Sequence, residues 1–120
     1  MAAVVRTKAR PCAPAGYEVN DKGSVTEAVV AGDLLKNGAG GWSKLAAGAT
    51  EADGIALQDY YAGQGNCSIG IQGEMDGFSG LVPGAPLYPS AAVAGGLDTT
   101  AAGVIRVKAA TATRIRYNFV

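Results

Sequence analysis

From residue 24 onward, glycine breaks almost every apolar run within a few positions. Ordering glycine costs more backbone entropy than ordering any other residue, and it weakens a helix interior. Punctuation this dense leaves room for short strands and turns and little for long helices. The core is expected to be thin as well. Of the 58 hydrophobic residues 23 are alanine, which leaves 35 larger apolar side chains in a chain of 120. A chain of this length holds one domain, with no room for a second independent core. Association with copies or partners is expected to supply the missing burial.

The pattern along the chain favours strands. Leu34 and Leu35, a glycine-rich turn, then Trp42 to Leu45 read as a hairpin. Residues 55–61 form a strand candidate. Residues 67–73 alternate with period two, which places Cys67, Ile69 and Ile71 on one face. Leu87 and Tyr88, the Gly95-Gly96 turn and Leu97 repeat the hairpin pattern, and a faint echo relates residues 30–55 to residues 82–104. Residues 104–108 and 114–120 complete the set, with Ile115, Tyr117 and Phe119 sharing a face opposite Arg114, Arg116 and Asn118. Ser24 to Glu27 fits a capping box, although an extended reading with Val25, Val29 and Val30 in a strand fits equally well. Glu74 to Asp76, flanked by Gly73 and Gly77, reads as a polar turn. The expectation is an all-β domain over residues 28–120, a small β-barrel or a β-sandwich/meander. Residues 1–27 read as an extended N-terminal arm, because Pro11 and Pro14 disfavour helix and remove ladder donors.

Zero net charge conceals a segregation. Arg6, Lys8 and Arg10 make the first 17 residues purely basic, and Arg106, Lys108, Arg114 and Arg116 do the same for residues 99–120. All ten acids lie between Glu18 and Asp98, beside only three lysines. Either the basic ends sit beside acids of the same subunit, or they meet an acidic surface elsewhere. Without a reading module or an aromatic-interleaved basic run, nucleic acid is a poor partner. No apolar run reaches the roughly 20 residues of a membrane helix. The absence of histidine removes Ser-His and Cys-His catalysis and histidine-zinc sites. Cys12 and Cys67 are expected to be free thiols, and no metal, cofactor or catalytic residue is expected. An enzyme is the least favoured class.

Several segments resemble the small decoration (cement) proteins of tailed-bacteriophage capsids. They are residues 31–35, Gly54 to Leu57, Ala62 to Gln64, the run Leu81-Val82-Pro83-Gly84-Ala85-Pro86-Leu87-Tyr88, residues 95–100 and the closing Arg114 to Phe119. The resemblance spans about residues 28–120. It implies a non-enzymatic virion protein, made in the host cytoplasm, that sits on the capsid exterior and bridges major capsid protein subunits, commonly as a homotrimer. On that reading the arm, through Val4, Val5, Arg6, Lys8 and Arg10, binds the shell. Trp42, Tyr60, Tyr61, Tyr88, Arg114 and Arg116 are candidates for the subunit interface. The alternative is a fibre or tail module that binds a receptor or glycan through Trp42, Tyr60, Tyr61 and Tyr88.

Overall fold

The computed structural model describes residues 4–12 and 18–120. Among them there is no helix; the elements are ten strands. These are β1 (Val5–Pro11), β2 (Val19–Gly23), β3 (Leu34–Gly38), β4 (Gly41–Lys44), β5 (Gly54–Ala56), β6 (Cys67–Ser79), β7 (Pro86–Pro89), β8 (Leu97–Asp98), β9 (Val107–Ala109) and β10 (Arg114–Asn118). They form one curled antiparallel sheet in the order β4-β3-β5-β6-β10-β9-β7-β8, with β1 and β2 also pairing β6. The all-β expectation holds; over residues 24–31 neither a capped helix nor a strand forms, and Val30 is exposed. Val25 bridges Trp42 and Val29 bridges Tyr60, while Glu27, instead of closing a capping box, accepts a hydrogen bond from the Lys44 amide.

The 13-residue strand β6 organises the sheet. One of its edges carries β2 opposite residues 67–72 and β1 opposite residues 75–79. The other carries β5 opposite Ile69 and Gly70, then β10 opposite residues 72–76. From β6 the strands curl in two directions. In one, β10, β9, β7 and β8 bend round until the Val4 amide donates to the Leu97 carbonyl at 2.9 Å, which brings the far edge back to β1. In the other, β5, β3 and β4 bend round to the segment that follows β2. There the Trp42 amide donates to Ser24 and the Thr26 amide to Trp42.

Each ring encloses its own apolar cluster. The larger holds Met75, Phe78, Leu87, Leu97, Val107, Ile115 and Tyr117, with Leu34 and Ile55 at its end. The smaller holds Val25, Val29, Leu35, Trp42, Ala56, Tyr60, Cys67 and Ile69. Leu34 and Leu35 face opposite clusters, as do Ile55 and Ala56, because successive strand side chains alternate. The strands β3, β5 and β6 are shared, so the two clusters are dependent parts of one domain.

One further expectation is overturned. Glu74-Met75-Asp76 is no turn; it lies in the middle of β6, with Met75 fully buried. Its flanking glycines serve packing and a bulge. Tyr117 lies across Gly73 and Gly70, where a Cβ would stand 2.7 Å from the phenolic oxygen. At Gly77, with φ +95°, a Cβ would collide with the Lys8 carbonyl. Met75 and Phe78 are three apart and both face the core. Regular alternation forbids that, and the bulge at Gly77, where β1 also shifts register between Arg6 and Arg10, permits it.

In the arm, Val5–Pro11 is a paired strand, and residues 18–23 continue along the same edge of β6. These described residues of the expected arm are extended and hydrogen-bonded to β6. Nothing local identifies the partner strand, because the prolines and cations of an edge strand look the same as those of a free tail. Ala3 and Pro14 lie outside the described residues. Strands β5 and β9 are shorter than expected, and Val104 and Ile105 are exposed in a loop.

The bulge makes a quantitative expectation. Gly77→Ala combines left-handed strain with a backbone collision and destabilises by about 3 kcal/mol. Gly48→Ala, also at positive φ but with open space around it, costs about 1 kcal/mol. Urea unfolding of the two variants checks the difference.

Candidate functional site: the N-terminal edge and the basic strands

The residues expected to bind a partner divide into those that hold the fold together and those that remain available. Val4 is half-buried against the larger cluster. Val5 is 61% exposed. Arg6, expected to be free, donates from Nη2 to Asp33 Oδ1 at 2.9 Å and from Nη1 to the Ala31 carbonyl at 3.0 Å. Asp33 is buried, and its other oxygen accepts the Val30 amide. Arg10 donates to Asp76 at 3.1 Å and is largely exposed. Lys8 is exposed and has no ion-pair partner among the described residues. Arg6 and Arg10 therefore follow the first of the two alternatives, a basic end beside acids of the same subunit.

The basic C-terminal strand behaves alike. Arg114 and Arg116 both reach Glu74, at 3.8 and 3.3 Å, and Arg106 reaches Glu51 at 2.9 Å. Directly across the strands, Arg10 and Arg114 flank Asp76 while Arg116 faces Glu74. Cross-strand pairs of opposite charge favour this register. Of the seven terminal cations, Arg6, Arg10, Arg106, Arg114 and Arg116 are in ion pairs within the chain. The charge segregation of the sequence thus places two basic strands on either side of an acidic one.

The aromatic candidates do not converge. Trp42 and Tyr60, candidates for a subunit interface, are buried in the smaller cluster and leave little of either ring exposed. The Tyr60 hydroxyl donates to the Ser68 carbonyl at 2.9 Å and accepts the Ser68 amide at 3.0 Å. Burial pushes its pKa above the ordinary 10.0, against the opposing pull of the Ser68 bonds. Tyr61 is 70% exposed, and Tyr88 lies half-buried on β7, in the other ring.

Cys12 and Cys67 are free thiols. Burial pushes the Cys12 thiol up despite the nearby Arg114, which keeps it protonated and poorly nucleophilic. Among the described residues no group of three or more Cys, Asp or Glu side chains is placed to hold a metal ion. No helix among them is long and apolar enough to cross a membrane.

What remains available is an edge. Among the described residues β1 and β2 pair only with β6, and no other described backbone bonds their outer sides beyond the single Val4 bond. Val5 and Val19 stand out from it, with Val30 exposed on the turn that Arg6 holds. Sequence reasoning missed Asp33 and Val19. For Asp33 there was a signal: a lone acid inside the apolar run of residues 28–35. No protein-family model, curated protein or solved structure matches the chain.

Two predictions follow from the buried polar contacts. Arg6→Met leaves Asp33 buried and unpaired and destabilises by about 3 kcal/mol, whereas Arg10→Met costs at most about 0.5 kcal/mol; urea denaturation reads both. Tyr60→Phe strands two Ser68 backbone groups and costs about 2 kcal/mol at neutral pH. Because the folded-state pKa of Tyr60 is raised, the unfolded chain loses this proton first. Its contribution is complete below pH 10.0 and is lost as pH rises further. The stability gap between wild type and Tyr60→Phe accordingly narrows only as the pH rises above 10.0.

Proposed function

We propose that this chain is a virion structural protein, a decoration protein on the outside of a phage head that strengthens contacts between major capsid protein subunits. The observation that carries the reading is the open β1–β2 edge. Among the described residues it offers a long run of unpaired backbone with Val5, Val19 and Lys8 outward, on a sheet whose other charges are largely consumed internally. An extended segment of a shell subunit adds to such an edge by main-chain hydrogen bonds. A modest contact suffices there, because a shell repeats it many times and each bound copy stabilises the assembled state. The resemblance over residues 28–120 supplies the choice of a phage head as the partner. The glycan-binding alternative loses Trp42 and Tyr60 to the core and keeps only Tyr61 and Tyr88, on different rings.

Deleting residues 2–16 is a poor test, since it removes a strand and exposes Met75 and Phe78. Surface substitutions serve better. The purified protein is mixed with undecorated heads of the phage that encodes it and sedimented, alongside a Val5→Ser/Lys8→Glu variant whose circular dichroism matches wild type. Wild type co-sediments, and the variant binds at least about tenfold more weakly with a shallower salt dependence. Undiminished binding by the variant removes the edge from the contact. No binding by wild type removes the decoration reading.

A further inference from the structure

A second surface is built with the opposite character to a neglected one. On the outer side of β9 and β10 an open groove of about 330 Å³ is lined by Ile105, Arg106, Lys108, Arg116 and Val120, with no acidic side chain. Ile105 is 47% exposed and Val120 80%. Lys108 is exposed with no ion pair among the described residues, and Arg116 retains 59% of its side-chain exposure beside Glu74. Apolar Ile105 and Val120 thus border the groove together with the cations of Arg106, Lys108 and Arg116.

Strand β2 is its complement. Val19 is 48% exposed. Asp21, two residues on and so on the same face, is exposed and in no ion pair among the described residues. The outer backbone of β2 pairs with no other described strand. Within one molecule the two surfaces cannot meet. Gln72 of β6 pairs with Val19 on one edge and with Asn118 of β10 on the other, so the whole width of β6 separates them.

We infer that β2 of one copy seats in the β9–β10 groove of the next, with Val19 against Ile105 and Val120, and Asp21 facing Lys108 and Arg116. The occupant is a second copy because the complement of the groove in charge, apolar content and free edge is already present on the chain. The contact joins two different patches, so it is head-to-tail, and it propagates into a closed ring when the rotation between copies permits. Opposite charges across the contact fix its register, and wrong pairings of β2 with acidic surfaces are repelled. The contact leaves β1 free for another partner and stands independently of what the assembly binds.

The test is a charge swap on the full chain, read by light scattering with size exclusion at low and high salt. Wild type is expected at a multiple of 12.0 kDa. Asp21→Lys and Lys108→Glu, each on an exposed side chain, weaken self-association at least about tenfold, and the double variant recovers most of it. Matching circular dichroism establishes that each variant is folded. A wild type that stays at 12.0 kDa throughout, single variants that associate like wild type, or a double variant without recovery each overturn the inference. Because the readout is mass alone, failure here is distinct from failure to bind heads.

Discussion

The fold rests on the pairing of one long strand along both of its edges. β6 has the only uninterrupted run long enough to border both rings, and its partners come from both ends of the chain: β1 and β2 on one side, β10 on the other. Nearly all of this pairing is distant in sequence. Its closure entropy must be offset before either cluster is complete. Once β6 is paired, however, Met75, Phe78 and Ile69 are fixed on their faces, and the two clusters fill from opposite sides of β3 and β5.

Electrostatics selects the pairing more than it stabilises it. Arg10–Asp76 and the arginines on Glu74 are substantially exposed on the cationic side, and pairs of that kind contribute little. Their value is in register: a basic strand on each side of an acidic segment penalises slipped alignments. Arg6–Asp33 differs, because Asp33 is buried and the pair ties β1 to the turn before β3. Lys8 and Arg10 also charge the open edge of the sheet. That blunts indiscriminate edge-to-edge aggregation while leaving backbone for a specific partner.

Short-range features were legible in the sequence and long-range ones were not. The β3–β4 hairpin announced itself through its glycine turn, and β10 through Ile115 and Tyr117 alternating with arginines. Cys67 and Ile69 fell on one face as period two requires. Glu74 to Asp76 misread because glycines mark turns far more often than they make room for a cross-strand tyrosine and a bulge. The role of Arg6 was invisible, since nothing local relates residue 6 to residue 33. Trp42 and Tyr60 looked available for a surface because a chain poor in large apolar groups gives no sign of which aromatics it spends on its own core. The open edge at β2 was hidden for the same reason: exposure of Val19 depends on what β6 leaves uncovered.

The central claim, that the N-terminal segment is a structural strand of this sheet and not a tail, is tested most directly by native-state amide hydrogen exchange. The Val4 amide bonds Leu97 and the Cys12 amide bonds Glu74, one at each end of β1. The account predicts that both open only with a large part of the sheet, with exchange free energies within about 1 kcal/mol of those in β6 and β10. Exchange of both amides at rates near those of an unstructured chain, while β6 and β10 stay protected, would contradict it.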